Sequence, residues 1–498
     1  MRIDELVRGI DSLHLEVAGG GEIDGITYDS RRIEPGDLFV AIAGFNNDGH
    51  LYLQEALRSG ATGLVVEEGR DMTASIPSGV SVVRAADTRV ALALLSDRFW
   101  GHPSGELVLV GITGTNGKTT TSHLVDAAAR RAGLTSGLIG TVTYRVGRRE
   151  LPVERTTPES SDLQRLLAGM VEAGCQVVSM EVSSHALALR RVEGCEFKVS
   201  VFTNLSQDHL DFHAGMEGYF AAKARLFVPP EKGGLGSGAS AVNVDDSYGL
   251  QLLKMITGKV LTFGTSPEAE LRGWLLEAGL KSSRVGVSRG GWSAEGDTAL
   301  TGIFNLHNIL AALASCLLLD MDADDSFRAI LSSPGVPGRF QAVEEGQDYA
   351  VLVDYAHTPD SLRRVLEAAR GIARGRLIVV FGCGGDRDRG KRPMMGEIAV
   401  RQADLAYITS DNPRSEEPEA IIDEIEEGAR SAGGEGDYRR INERRTAIEA
   451  ALEEARAGDV VIIAGKGHER GQIFADRIVP FDDTEEAKKA LRRRLGRG

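Results

Sequence analysis

The stretch Gly111-Ile-Thr-Gly-Thr-Asn-Gly-Lys-Thr-Thr120 decides the fold of the middle of this chain. It follows an apolar run at residues 107–110, which predicts a buried strand, and it leads into residues 119–131, which have the pattern of a helix. A Gly-rich turn between a strand and a helix directs several backbone N–H groups and the positive end of the helix dipole at one point. The stretch therefore predicts a phosphate-binding loop. An ordinary Gly-rich strand-to-helix loop is the alternative.

The loop is a shorter variant of the strict P-loop pattern, because Ile112 stands where that pattern requires its first glycine. The part that remains is Gly114-x-x-Gly117-Lys118-Thr119. In this pattern the lysine reaches the β- and γ-phosphates, and the hydroxyl of the next residue ligates the accompanying Mg²⁺. We therefore expect ATP to contact the loop residues Gly114, Thr115, Asn116, Gly117, Lys118, Thr119 and Thr120.

Composition limits the class of protein. At 498 residues the chain is long enough for about three domains. Its net charge of −15 argues against nucleic acid or an anionic membrane as the main partner. The cysteines have no metal-ligand spacing, which is typical of a reduced cytoplasm, and no apolar run approaches the ~18 residues of a membrane span. We expect a cytoplasmic, monomeric protein that acts on small molecules.

The order of predicted elements indicates an α/β fold. After mixed elements up to about residue 100, a linker of turn composition, Gly101-His-Pro-Ser-Gly105, leads into a second unit. Its predicted strands are 107–112, 176–182, 199–203 and 241–244, and its predicted helices are 119–131, 161–173 and 215–227. This alternation predicts a mostly parallel sheet with ligands at the carboxyl ends of the strands. The Gly-rich residues 229–240 predict a surface loop.

A second linker, Ser333-Pro-Gly-Val-Pro-Gly338, precedes another run of alternating elements. Strands are predicted at 350–354, 377–381, 405–409 and 460–464, and helices at 360–370, 394–401, 420–430 and 443–456. This pattern predicts a second doubly wound sheet. We therefore expect three domains, at residues 1–102, 103–335 and 336–498, with a cleft that closes over substrates.

Polar residues stand where two of the central strands should end. They belong to Met180-Glu-Val-Ser-Ser-His185 and to Thr203-Asn-Leu-Ser-Gln-Asp-His-Leu-Asp-Phe-His213. A carboxylate or a histidine at such a position can hold Mg²⁺ beside the phosphates, and Glu181 and His209 are the candidates. For His185 and His209, a buried histidine with ordinary hydrogen bonds is the alternative.

Six motifs occur in order along the chain: Gly114-Thr-Asn-Gly-Lys-Thr-Thr120, Glu181-Val-Ser-Ser-His185, Tyr219-Phe-Ala-Ala-Lys-Ala-Arg-Leu-Phe227, Phe304-Asn-Leu-His-Asn308, Asp354-Tyr-Ala-His-Thr-Pro359 and Gly382-Cys-Gly-Gly-Asp-Arg-Asp388. Together they resemble the Mur ligases, the ATP-dependent amide-bond-forming enzymes of bacterial peptidoglycan synthesis. Asp411-Asn-Pro-Arg414 and Gly465-Lys-Gly-His-Glu469 are similar to the amino-acid-binding signature of the member that adds meso-diaminopimelate to UDP-N-acetylmuramoyl-L-alanyl-D-glutamate.

The resemblance assigns roles to the three domains. It implies an N-terminal mixed α/β domain that binds the UDP-sugar, a central P-loop-type ATPase domain and a C-terminal Rossmann-like domain that binds the amino acid. The UDP-muramoyl-dipeptide is expected to contact Tyr28, Ser30, Phe45, Asn46, Asn47, Thr156, Thr157, Ser183 and Arg191. The chain departs from the family where Leu189 replaces a common glutamine and Arg155 a common asparagine.

The resemblance also implies contacts for the nucleotide and the incoming amino acid. Asn308, Arg339 and Asp354 match positions that hold adenine, ribose or phosphate, although a surface cation is the alternative for Arg339. Diaminopimelate is expected to contact Arg387, Asp411, Asn412, Pro413, Arg414, Gly465 and Glu469.

The implied chemistry is transfer of the ATP γ-phosphoryl group to the D-glutamyl carboxylate, followed by attack of an amine on the acyl phosphate. The expected catalytic residues are Lys118, Glu181, His209 and Lys223. Mg²⁺ is expected on Thr119, Glu181, His209 and a carbamate that CO₂ forms on Lys223, with an unmodified helix lysine as the alternative. Three other functions are open: the same ligase using L-lysine, a folylpolyglutamate synthetase, and a non-catalytic nucleotide-binding protein.

Overall fold

A computed structural model describes residues 1–44, 47–70, 76–210, 212–279, 282–432 and 437–496. Within these residues the strands form three large sheets that follow one another along the chain, and helices pack on them. The predicted α/β class is therefore confirmed. In the described part of the chain no helix is long and apolar enough to cross a bilayer.

The first sheet has the strand order β1-β5-β4-β3-β2, and β1 is its antiparallel edge. Strand β3, Asp37–Val40, is buried throughout, and the Asp87 carboxylate caps helix α3, Thr88–Phe99, by accepting the N–H groups of Arg89 and Val90. The elements are α1 Ile3–Val7, β1 Leu13–Val17, β2 Gly25–Thr27, β3 Asp37–Val40, α2 Leu53–Arg58, β4 Gly63–Glu67, β5 Ser81–Ala85 and α3 Thr88–Phe99, with 3₁₀ turns at Ser30–Arg32 and Gly49–Tyr52.

The second sheet carries the phosphate-binding loop. Its elements are α4 Pro103–Glu106, β6 Val108–Thr113, α5 Lys118–Arg131, β7 Ser136–Ile139, β8 Tyr144–Val146, β9 Arg149–Leu151, α6 Ser160–Glu172, β10 Val177–Glu181, α7 Ser184–Ala188, β11 Val199–Phe202, α8 Gly215–Ala224, β12 Ala239–Asn243, α9 Ser247–Leu253, β13 Lys259–Gly264, β14 Leu271–Ala278, β15 Ser283–Arg289, β16 Trp292–Thr298, α10 Ile303–Leu318 and α11 Ala323–Leu331. Strand β6 lies between β10 and β11 and is parallel to both, which brings their carboxyl ends to one edge.

Two predictions for this region are wrong in part. Residues 101–105 were predicted as a linker, but Pro103 begins the short helix α4, where its fixed φ suits the first turn. Residues 229–240 were predicted as a loop, but β12 begins at Ala239 because its apolar residues pair with β11 and β13. The antiparallel strands β14–β16 and β8–β9 extend the parallel centre at its two ends and had no predicted counterpart.

The third sheet has the order β17-β18-β22-β19-β20-β21 and is parallel except at β17. Its central strands are buried along their whole length, as their continuous apolar runs predict. The elements are β17 Gln341–Ala342, β18 Ala350–Asp354, α12 Pro359–Ile372, β19 Leu377–Phe381, α13 Lys391–Gln402, β20 Leu405–Ile408, α14 Pro418–Ser431, β21 Asp437–Arg440, α15 Arg444–Glu454, β22 Val460–Ala464, the hairpin β23 Gly471–Ile473 and β24 Ile478–Pro480, and α16 Asp483–Arg494.

A buried ion pair ties the last helix to this sheet. The guanidinium of Arg444 donates from Nε and Nη2 to the carboxylate of Asp483, both at 2.7 Å, and neither side chain is exposed. Nη2 also donates to the backbone carbonyl of Ala464 at 3.0 Å. Helix α16 is thereby attached to the carboxyl end of β22.

Candidate active site

The phosphate-binding loop contains two glycines for which other residues would not fit. Gly114 has φ 150°, and a Cβ atom there would lie 1.9 Å from Thr203 Oγ1. Gly117 has φ 88°, and a Cβ atom there would lie 2.4 Å from Asn308 Oδ1. Because the backbone adopts this tight path, α5 begins at Lys118 with its N-terminus at the carboxyl edge of the sheet.

Two lysines meet at this loop. The Lys118 ammonium donates to the carbonyls of Gly114 and Thr115 at 2.9 and 2.8 Å, and Lys223 from α8 donates to the same Gly114 carbonyl at 2.8 Å. The Lys223 side chain is buried and lies over the Tyr219 ring. Burial lowers the pKa of both lysines, and the charge of Lys118 lowers the pKa of Lys223 further, to well below its ordinary value. The two lysines therefore bring their Nζ atoms to one backbone carbonyl of the loop.

Glu181 lies at the carboxyl end of β10 and is fully buried. Its carboxylate accepts hydrogen bonds from Thr119 Oγ1 at 2.9 Å, from the Thr141 N–H at 2.7 Å and from Thr141 Oγ1 at 3.1 Å. Arg339 adds a donor from the C-terminal domain, at 3.2 Å from Thr119 Oγ1. The predictions did not include Thr141, although its place two residues after β7 is another strand end.

The oxygens of Glu181 and Thr119 are the kind that a hard divalent cation prefers. The described residues contain no group of three or more His, Cys, Asp or Glu side chains that could hold a metal ion. A cation at this place would therefore depend on hydroxyl, phosphate or carbamate oxygens in addition to Glu181.

His209 lies in a group of aromatic and histidine rings. Its ring centroid is 4.7 Å from that of His185 and 6.2 Å from that of Tyr219, and its Nε2 is 3.4 Å from the Asp208 carboxylate. The Tyr219 hydroxyl is 3.2 Å from Thr115 Oγ1, so this group contacts the phosphate-binding loop.

The residues that are expected to contact the nucleotide come from three separate parts of the chain. Asn308 is buried on α10 and donates to Asn305 Oδ1. Arg339 lies over the Tyr355 ring, 4.7 Å from its centroid. Asp354 ends β18 and accepts the Phe340 N–H at 2.7 Å. Burial raises the pKa of Asp354 to about 6, against the opposing effect of the Arg339 cation.

Residues expected at the muramoyl-peptide connect directly to the Glu181 strand end. Thr157 Oγ1 donates to the Glu181 carbonyl at 2.9 Å and accepts the Ser183 N–H at 3.1 Å. The Ser183 hydroxyl then caps α7. Thr156 Oγ1 is 3.1 Å from Thr141 Oγ1, and Arg191 donates to the Thr157 carbonyl at 3.3 Å. The structure thus brings this set to the carboxyl edge of the central sheet, next to Glu181.

The residues expected at the nucleotide-sugar end are less closely grouped. The Tyr28 hydroxyl donates to Asp162 at 3.3 Å and lines a cavity of 670 Å³, which Arg155 also lines. Burial raises the pKa of Tyr28 to about 12. Ser30 begins a 3₁₀ turn, and Asn47 is exposed. Phe45 and Asn46 lie outside the described residues. Of the two departures from the family, Leu189 ends α7, and Arg155 pairs with Glu159 at 3.2 Å.

The expected amino-acid residues gather at the carboxyl ends of β20 and β22. Asn412 Nδ2 donates to Glu469 at 2.7 Å, and Lys466 Nζ donates to Asn412 Oδ1 at 2.9 Å and to Glu469 at 3.0 Å. Lys466 is fully buried. It was absent from the predicted contacts, although it stands inside the quoted motif. Gly465 has φ 116°, and a Cβ atom there would lie 2.6 Å from Asp411 Oδ2.

Arg414 follows Asn412 and Pro413 and has a left-handed backbone conformation that is uncommon for a residue other than glycine. Its φ is 52°, its N–H donates to the Ile473 carbonyl at 3.0 Å, and Nη1 donates to the Gly385 carbonyl at 2.7 Å. Pro413 precedes it, and a Cβ atom on Gly385 would lie 1.9 Å from the Pro413 carbonyl oxygen. Arg387 is exposed and donates to the backbone carbonyl of Asp386. Arg414 is therefore fixed by bonds to two other segments, whereas Arg387 bonds only to its neighbouring residue.

The strand ends of the central and C-terminal sheets thus carry the predicted site residues, and comparison with known proteins identifies the family of the chain. The description "Mur ligase family, catalytic domain" matches residues 22–100, "Mur ligase middle domain" matches 112–316, and "Mur ligase, glutamate ligase domain" matches 338–467. The chain belongs to the Mur ligase family.

Individual relatives narrow the comparison. The chain is 43% identical, over 99% of both chains, to the UDP-N-acetylmuramoyl-L-alanyl-D-glutamate–2,6-diaminopimelate ligase of Caldanaerobacter subterraneus subsp. tengcongensis. A solved structure of a ligase with the same name is 31% identical, with a TM-score of 0.66 and 95% of each chain covered. The MurF ligase of Thermotoga maritima in complex with ADP shares the fold at 18% identity, with a TM-score of 0.64 and coverage of 95% of this chain and 98% of that one.

Proposed function

We propose that this protein is an ATP-dependent ligase that joins 2,6-diaminopimelate to the D-glutamyl carboxylate of UDP-N-acetylmuramoyl-L-alanyl-D-glutamate. The observation that carries the proposal is the Asn412–Lys466–Glu469 cluster with Arg414, which lies at the strand ends of the C-terminal domain. The same domain reaches the phosphate-binding loop through Arg339. The names of full-length relatives support this reading, and they do not favour L-lysine as the acceptor.

ATP is the proposed phosphoryl donor. Its phosphates would contact Gly114 to Thr120, where α5 directs its N-terminus and Lys118 supplies a cation. Asn308, Arg339 and Asp354 would hold the remainder of the nucleotide. A solved MurF ligase of the same fold is in complex with ADP, which supports nucleotide use by this fold.

Mg²⁺ and a carbamate on Lys223 are further parts of the proposal. An unprotonated lysine amine is the form that attacks CO₂, and burial favours this form by lowering the pKa of Lys223. Carbamylation would then place an anion beside the Lys118 cation. Thr119, Glu181, His209 and the carbamate would then hold Mg²⁺, which neutralises charge on the transferred phosphoryl group. The oxygens of Thr119 and Glu181 already lie 2.9 Å apart, which fits a shared ligand.

The protein's own residues support both chemical steps. The D-glutamyl carboxylate oxygen attacks the γ-phosphorus while Lys118 stabilises the negative charge of the phosphates, and ADP leaves. The amine of diaminopimelate then attacks the acyl carbon, the C–O bond to phosphate breaks, and inorganic phosphate and an amide result. Thr156, Thr157, Ser183 and Arg191 would orient the dipeptide, and closure of the domains would exclude water from the acyl phosphate.

The domain roles follow from the same proposal. Residues 1–102 would bind the UDP-sugar through Tyr28, Ser30 and the segment containing Phe45, Asn46 and Asn47. Residues 103–335 would bind ATP, and residues 336–498 would bind the amino acid through Asp411 to Arg414, Gly465, Glu469 and Arg387.

The test is phosphate release by purified protein with ATP, Mg²⁺ and the UDP-muramoyl-dipeptide. Diaminopimelate, L-lysine and L-glutamate are compared as acceptors, and the joined product is identified by mass. We expect product with meso-diaminopimelate and none with Lys118→Ala, whose folding is checked by thermal unfolding. If product formed only with L-lysine, L-lysine would be the acceptor in place of diaminopimelate. Nucleotide binding without any joined product would refute the ligase function.

A further inference from the structure

A buried carboxylate of the C-terminal domain contacts two loops of the central domain. Asp360 is the second residue of α12, and its side chain is 7% exposed. It accepts hydrogen bonds from Ser206 Oγ and, at 3.4 Å, from Asn116 Nδ2. Asn116 belongs to the phosphate-binding loop, and Ser206 belongs to the loop after β11 that also carries His209. One side chain therefore holds both loops.

The two loops are also joined to each other by hydrogen bonds that do not involve Asp360. Thr115 Oγ1 donates to the Ser206 carbonyl at 3.1 Å and accepts the Ser206 N–H at 3.0 Å. The Asn116 N–H donates to Asn204 Oδ1 at 3.0 Å, and Thr203 Oγ1 donates to the Asn116 carbonyl at 2.6 Å. A displacement of either loop therefore moves the other.

The charge of Asp360 is compensated from its own helix. Arg363 donates to it at 2.7 Å and Arg364 at 3.0 Å, and the carboxylate lies in the first turn, where the helix dipole favours an anion. Because these contacts stay with α12 wherever the domain lies, they do not depend on the central domain. The bonds to Ser206 and Asn116 form only when α12 is docked.

We propose that Asp360 is a positioning residue for ATP, which fixes the phosphate-binding loop and the loop after β11 when the C-terminal domain docks. The inference rests on the proposed function in taking this loop as the ATP site. Since coupling between two binding events is reciprocal, ATP and the docked domain then favour each other. A role confined to stabilising α12 would change the melting temperature and leave the affinity for ATP unchanged.

The experiment measures ATP affinity by calorimetry in the full-length protein, together with hydrogen exchange at residues 114–121 and 203–210. Asp360→Asn and Ser206→Ala are compared singly and combined. Ser361→Ala is the matched control, because its hydroxyl takes part in the Thr358 capping box of the same helix and does not touch the loops.

We expect each single variant to raise the Kd for ATP roughly tenfold to a hundredfold, as loss of one charge-assisted hydrogen bond implies, and to speed hydrogen exchange in both loops. The double variant should bind ATP no more weakly than Asp360→Asn, since the two substitutions remove the same hydrogen bond. Ser361→Ala should lower the melting temperature and leave the Kd within twofold of wild type.

The proposal would be overturned if the Kd for ATP were unchanged in both single variants. It would also be overturned if the two changes in Kd were additive in the double variant, or if Ser361→Ala weakened ATP binding equally. Ser206→Ala removes only a hydroxyl, so it keeps the test decisive if Asp360→Asn does not fold. Because binding is measured without an acceptor, a wild-type protein that binds ATP but joins no amino acid refutes the ligase function alone. An active ligase whose variants bind ATP normally refutes the role of Asp360 alone.

Discussion

Replacing Arg414 by alanine is expected to reduce the use of diaminopimelate far more than the use of L-lysine. The two acceptors differ by a carboxylate on the far carbon, and Arg414, which we propose as an acceptor contact, has a guanidinium that suits such a group. Its Nη1 is engaged by the Gly385 carbonyl, which leaves Nη2 and Nε to donate to a carboxylate. The bond to Gly385 also fixes the plane of the guanidinium before the acceptor arrives.

The size of the effect follows from the bonds lost. A hydrogen bond to a charged group contributes about 1.5–3 kcal/mol, and about 1.4 kcal/mol changes an equilibrium or rate constant tenfold. Loss of the guanidinium should therefore lower kcat/KM for diaminopimelate by roughly tenfold to a hundredfold or more. Alanine at φ 52° is about as strained as arginine, so the backbone contributes little to the difference.

The assay is kcat/KM for both acceptors with wild type, Arg414→Ala and Arg414→Lys. Lysine at this position keeps a charge but not the planar pair of donors, so Arg414→Lys should fall between the other two. L-lysine use should be unchanged or improved in Arg414→Ala. An equal fall for both acceptors, or no fall for diaminopimelate, would show that Arg414 does not set the choice of acceptor.

Three further predictions concern buried groups. Lys223→Ala should be nearly inactive in phosphate release, with partial recovery when a short-chain carboxylic acid is added; full activity without the acid would exclude an essential lysine. The pKa of Asp354 is raised to about 6, so the folded state binds more protons than the unfolded state between about pH 4 and 6. The free energy of unfolding of wild type should therefore fall by up to about 3 kcal/mol as the pH rises across this range. Urea unfolding from pH 4 to 7 should therefore show Asp354→Asn gaining stability relative to wild type, whereas a constant difference would contradict the assignment. Asp483→Ala should lower the free energy of unfolding by about 3–5 kcal/mol, because it leaves the Arg444 cation buried without its carboxylate; a loss below about 1 kcal/mol would mean that the site relaxes or admits water.

Strong hydrophobic patterns in the sequence were enough to predict the α/β class and several of the central strands. The strands at 350–354, 377–381 and 460–464 were predicted with the bounds that the structure has, because each is a continuous apolar run between turn residues. The strands β14–β16 were missed, because they carry exposed polar residues and several glycines and have no run of that kind.

The candidate site was predictable where a motif is local and less so where the site is assembled from distant segments. The glycines of the phosphate-binding loop follow from a single stretch of sequence. Thr141 was missed because only its hydrogen bond to Glu181, forty residues further along the chain, connects it to the site. The contacts of Asp360 could not be predicted for the same reason, since they exist only once two domains lie together. The roles assigned to individual side chains stay predictions.

The attachment of α16 to the end of β22 has a practical consequence for handling the protein. The Ala464 carbonyl that receives Arg444 immediately precedes Gly465, from which the loop with Lys466 and Glu469 departs. Shortening the chain to remove α16 would take away Asp483 and leave that carbonyl beside an unneutralised guanidinium. A shortened form of the protein should therefore keep α16, and a loss of acceptor binding after C-terminal trimming would not show that the removed residues touch the acceptor.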